Sequence, residues 1–136
     1  MESFDKGAYR QGNKIALAGL SNHKMFLVAG GDYGKQVVHS FQLNNGSNDY
    51  FIQGQEGFTA DEAAKFFVDN YEGKKIKIIK APIELLKILG LFSNKFNYGA
   101  KIVEALNKYP EKFQSERTWK ELGKPQTKFI DYIKNA

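Results

Sequence analysis

Tyr71 and Lys75 stand four residues apart, a spacing at which one helical face could bring an ammonium beside a phenol, lower its pKa and let it exchange a proton with an alcohol or carbonyl. Gly73 interrupts the pair where a helix is expected to end, so nothing obliges the two side chains to share a face. Gly30, Gly31 and Gly34 form the best glycine cluster, and a glycine-rich turn between strand and helix is what lets backbone amides approach a pyrophosphate. Their spacing is not that of such a loop, and Asp32 would put a carboxylate where phosphate oxygens belong. His23 and His39 are the only histidines, and neither has a second ligand at helical spacing with an acid nearby, so no metal site is expected. The chain has no cysteine, which excludes thiolate zinc sites, thiol nucleophiles and disulfides. No catalytic, cofactor-binding or metal-ligating role is therefore assigned to any residue.

The elements that would position such groups can be read from periodicity and punctuation. Apolar runs over 14–18 and 25–29, separated by the polar Ser21, Asn22 and His23, predict two strands or a hairpin-like pair. Asp32 could cap a helix over 33–41, with Val37, Val38 and Phe41 on one face. A turn over 44–48 precedes a short buried strand over 50–52. Thr59 followed by Glu62 is a capping box, and Ala63, Ala64, Phe67, Val68 and Tyr71 continue it as the apolar stripe of a helix. Ile76 and Ile78 alternate with lysines over 75–79 as in a half-buried strand, and Pro82 opens a leucine-rich helix over 82–91. A polar joint over 93–97 leads to a helix carrying Ala100, Ile102, Val103, Leu106 and Tyr109, stopped by Pro110. Ser115 can cap a turn holding Trp119 and Leu122, Gly123 ends it, and Thr127 starts a last helix. This order predicts an α+β domain spanning 1–136: a small mixed sheet from the segments near Lys14, Met25, Tyr50 and Lys75, covered by helices and lacking a glycine-rich Rossmann half.

Composition bounds the partners. A chain of 136 residues, 42% hydrophobic and 14% aromatic, is too apolar for a disordered tail and long enough to bury roughly two thirds of its unfolded surface. The first fifteen residues carry Glu2, Asp5, Lys6 and Arg10, which excludes a signal peptide there; with no spanning stretch and no cysteine, a cytoplasmic location and no membrane contact are expected. Net charge is +5, but the lysines are spread and often stand beside acids. The one dense cluster, Lys74, Lys75, Lys77 and Lys80, reads as a solvated strand face, so no nucleic-acid partner is expected.

Several segments together carry a resemblance. Met1-Glu2-Ser3, the run over 28–37 with Asp32-Tyr33-Gly34, the segment IQGQEGFTADEAA over 52–64, Lys80-Ala81-Pro82 before leucines, and a Trp-x-x-Leu-Gly-x-Pro element ending at Pro125 occur in that order. In this order they are similar to the C-terminal portion of extended and atypical short-chain dehydrogenase/reductase proteins, including the nucleoside-diphosphate-sugar epimerase-like and NmrA-like groups. In that family the cofactor loop and the tyrosine–lysine pair lie upstream of the segment equivalent to Met1, so none is carried over to this chain. The resemblance implies the substrate-side lobe of an NAD(P)-dependent oxidoreductase or epimerase-like protein, inactive alone, with the N-terminal Rossmann half and its NAD(P) belonging to a longer parent. The implied partners are that half, a small-molecule substrate and, through the surface left open, a second copy in a homodimer. Among the aromatic and sulfur side chains, Met25, Phe26, Phe96 and Tyr98 are the substrate-pocket candidates. The competing readings are a stand-alone module for a small ligand or protein partner and, third, a basic nucleic-acid binder.

Overall fold

The computed structural model describes residues 1–43 and 49–136, so the turn expected over 44–48 lies outside the described residues. The order is α1 (Glu2–Asp5), β1 (Arg10–Gln11), β2 (Lys14–Ala18), β3 (Met25–Phe26), α2 (Gly30–Gln42), β4 (Gly57–Phe58), α3 (Ala60–Asn70), β5 (Lys77–Ala81), α4 (Ile83–Gly90), α5 (Asn94–Lys108), α6 (Glu116–Leu122) and α7 (Phe129–Lys134). This is an α+β fold with small mixed sheets under helices. Among the described residues no helix is long and apolar enough to cross a membrane.

There are two sheets where one was expected. The first has the order β1-β2-β5, with β1 antiparallel to β2 and β5 parallel to it in the register Ile15↔Ile78 and Ala16↔Ile79. The second is the antiparallel pair β3-β4. Of the two alternatives for 14–18 and 25–29, two strands or a hairpin-like pair, the structure has two strands in different sheets. Gly19, at φ +64, turns the chain away after β2, and the antiparallel neighbour of β2 is β1, reached across Gly12 at φ +59. Phe26, rather than the whole run to Ala29, ends β3, because only Met25 and Phe26 have partners, Phe58 and Gly57.

The segment expected as a strand over 50–52 joins no sheet; its place opposite β3 is taken by Gly57–Phe58. Side chains have replaced the ladder: the Phe51 carbonyl accepts from Ser115 Oγ and the Gln53 carbonyl from Trp119 Nε1 at 3.1 Å. Ser115 consequently stands at the start of α6 without capping it.

Alternation along β2 decides where the core sits. Ile15 and Leu17 are buried with Ala63, Ala64 and Phe67 of α3 and with Ile76, while Ala16 and Ala18 fall on the opposite face. Phe4 and Phe129 close the other end of this core. Ile76 is buried as the alternation predicts, but Ile78 is 39% exposed, because β5 forms the sheet edge. The expected capping box is present: Glu62 N donates to Thr59 Oγ1 at 3.1 Å, and Thr59 N donates to Glu62 Oε2 at 2.8 Å. Thr59→Ala is expected to cost about 1 kcal/mol, read as a lower midpoint in urea at unchanged slope.

Pro82 occupies the cap position of α4 rather than its first turn, and α5 begins at Asn94, inside the polar stretch expected as a joint. Gly90 allows the tight crossing between the two helices; a Cβ there would lie 2.9 Å from the Asn97 Cα. Lys87 and Glu104 pair across the same hairpin at 2.5 Å.

Candidate functional site

The α4–α5 hairpin stands over the sheet face that carries Ala16, Ala18 and Ile79, and the space between them is a cleft of about 530 Å³. Short side chains on the strands leave the floor low. Leu85, Leu86 and Leu89 of α4 with Phe96, Ile102 and Val103 of α5 form the wall. No residue of α4 is buried, so the hairpin has not closed onto the strands. Tyr9 and Gln11 supply uncharged polar groups to the lining, and burial pushes the Tyr9 phenol up from its ordinary value. Lys80 also borders the cleft, but its ammonium is held by Asp61 of α3 at 2.7 and 2.9 Å.

The four substrate-pocket candidates are not brought together. Phe96 lines this cleft and is 41% exposed. Met25 lines a smaller cavity of about 50 Å³ beside His23, Asn107 and Glu111, which shares Tyr9, Leu17, Ala18 and Val103 with the cleft. Phe26 packs on Phe113 with ring centroids 5.2 Å apart, and Phe113 in turn meets Trp119 edge-on. Tyr98 is 70% exposed on α5. The leucines of α4 and the small residues of β2 escaped the sequence reading because apolar residues on helices and strands read as core; the available signal was a helix apolar on more sides than one neighbour can cover.

Helix α3 ends at Asn70, Tyr71 stacks on Phe67 at 5.3 Å under the Arg10 guanidinium, and Lys75 lies beyond the helix. Gly30, Gly31 and Gly34 belong to the first turns of α2 rather than to a loop. His23 Nε2 lies 3.1 Å from the Asn107 carbonyl and His39 Nδ1 2.8 Å from the Leu122 carbonyl; a carbonyl only accepts, so each of these nitrogens carries the proton. Among the described residues no group of three or more acids and histidines is placed to hold a metal ion.

Asp32 does not cap α2. The helix starts two residues earlier, at Gly30, whose amide donates to Glu2 Oε1 at 2.7 Å, with Ala29 at the cap position. Instead the Asp32 carboxylate accepts from the amides of Gln126 and Thr127 at 2.9 and 2.7 Å and from Lys35 at 3.2 Å. Gln36 Nε2 donates to the Gly123 carbonyl at 2.6 Å, and His39 follows one turn later. The inward face of α2 is thus polar. Of its apolar residues, Tyr33 is 49%, Val38 55% and Phe41 85% exposed, while Val37 is half-buried. This is the reverse of the usual arrangement on a surface helix.

Compared with protein-family models, with curated proteins and with solved structures, the chain has no significant match to any.

Proposed function

We propose that this chain is the substrate-side lobe of an NAD(P)-dependent oxidoreductase or epimerase-like protein, docking on a nucleotide-binding half that holds the cofactor and selecting the small-molecule substrate by contact. The observation that carries this reading is the reversed helix α2. Its polar face is spent on the 122–127 segment, while Tyr33, Val38 and Phe41 are left for an apolar partner. The segment around Phe51, itself 57% exposed and in neither sheet, adds to the support. A stand-alone ligand-binding module is the second reading, favoured by the cleft but silent on α2.

Two measurements test the proposal. Calorimetric titration of the chain with NADPH should show no saturable binding, since the phosphate cradle would belong to the other half; micromolar saturation overturns it. Light scattering across a dilution series should show concentration-dependent self-association through the open α2 face. Val38→Glu with Phe41→Glu should abolish that association with stability unchanged to about 0.5 kcal/mol, as for exposed sites. A strictly monomeric chain at high concentration counts against a missing partner.

A further inference from the structure

The cleft beneath the α4–α5 hairpin differs from the α2 face in kind. A face is covered by another surface, whereas this is a concavity of about 530 Å³, within the range of small-molecule sites. Its lining offers Tyr9 and Gln11 as uncharged polar groups, and among the described residues the ammonium that borders it, Lys80, is already bound by Asp61. An anion entering it would lose hydration without gaining a free cation from the described residues, and so would bind more weakly than a neutral molecule of the same shape.

Gly99 supplies a second, independent observation. It lies inside the helix Asn94–Lys108, where glycine is less favourable than alanine because it loses more backbone freedom. At Gly90 the close helix crossing explains the glycine. At Gly99 no such reason exists: a Cβ would meet only Leu86 Cδ2, at 3.9 Å, an ordinary contact. Packing of the chain on itself does not call for a missing side chain there. What the glycine does is deepen the cleft at its wall.

We infer that the cleft between the β2–β5 face and the α4–α5 hairpin binds a neutral, predominantly apolar small molecule, with Gly99 leaving room for it and Phe96 and Ile79 lining it. The inference rests on the reading of this chain as a substrate-side lobe and narrows its substrate class. A nucleoside-diphosphate sugar, with its two phosphates, does not suit this lining. A compact molecule with a ring system and one hydroxyl or carbonyl does, because Tyr9 or Gln11 can satisfy its single polar group.

The test is a calorimetric titration of the full chain with 2-naphthol and, separately, with 2-naphthoate. The neutral probe should saturate a single site, and the anion should bind roughly tenfold more weakly or worse. Gly99→Leu fills the recess and favours the helix, so its melting temperature should hold or rise while its 2-naphthol affinity falls about tenfold or more. Amide shift changes in the unaltered chain should centre on Ala16, Ile79, Leu86 and Gly99, which keeps the test valid if the variant folds poorly. Absence of saturation, equal binding of the anion, undiminished binding to a folded Gly99→Leu, or shifts centred elsewhere each overturn the inference. NADPH titration reports on the lobe reading separately, so failure of one is distinguishable from failure of the other.

Discussion

Truncation of Phe129 to alanine should destabilise the chain by about 3–5 kcal/mol, the range for removing a fully buried aromatic from a packed core. Phe129 is fully buried at the start of α7, and its ring lies 6.0 Å from Phe4, 5.4 Å from Phe58, 5.7 Å from Phe66 and 6.2 Å from Phe67. One side chain therefore joins α1, β4, α3 and α7. Its removal leaves a cavity among rings that cannot all shift inward, so collapse recovers little of the lost contact. Against a total stability of about 5–15 kcal/mol, such a loss lowers the melting temperature by roughly 10–15 °C. Phe92→Ala is the control, since Phe92 is 86% exposed and should change stability by no more than about 0.5 kcal/mol. Urea unfolding of the two variants at equal slope reads the contrast, and a similar midpoint for both would mean that Phe129 is not the hub of the core.

The second large effect is expected at Asp32, which is 3% exposed. Burial by itself pushes this carboxyl up, but hydrogen bonds from the Thr127 amide and hydroxyl, from Lys35 and from the Gln126 amide outweigh it and hold the group below its ordinary 3.8. Asp32→Ala leaves two backbone amides without their acceptor and should cost about 2–3 kcal/mol at neutral pH. Asp32→Asn keeps an acceptor oxygen and should cost less. The sign of the pH dependence follows from the lowered value. The stabilisation is present above 3.8 and is lost as pH falls through the still lower value of the folded state. The advantage of the unaltered chain over Asp32→Asn should therefore persist at pH 6 and narrow below 3.8, measured by urea midpoints across pH. An advantage that stays constant down to pH 2 would remove the carboxylate from the account of how α2 is tied to the 122–127 segment.

Much of this arrangement was legible in the sequence where a few neighbouring residues decide the outcome. The Thr59–Glu62 box, the stop at Gly123 with its φ of +94, the α5 stripe and the α+β class all follow from hydrogen bonds or steric limits within one or two turns of chain. Pairing across the chain was not legible in this way. Residues 50–52 have the composition of a strand, yet a strand exists only beside a neighbour, and here Ser115 takes the Phe51 carbonyl and Trp119 that of Gln53 just beyond.

The same distinction governs the functional surfaces. Periodicity placed Val37, Val38 and Phe41 on one face of α2, but a period says which residues share a face and not which way that face points. Tertiary structure turned Val38 and Phe41 outward and left Val37 half-buried, because Asp32, Gln36 and His39 find their partners on the 122–127 segment, distant in sequence. The cleft likewise depends on how the hairpin sits over the sheet, with Ile83 and Val103 close against Gly19, and on the small residues of β2 and Gly99 that leave its lining open. Local chemistry determined the elements and their ends. Long-range hydrogen bonds and packing, which carry no local sequence signature, decided what those elements leave open to a ligand or a partner.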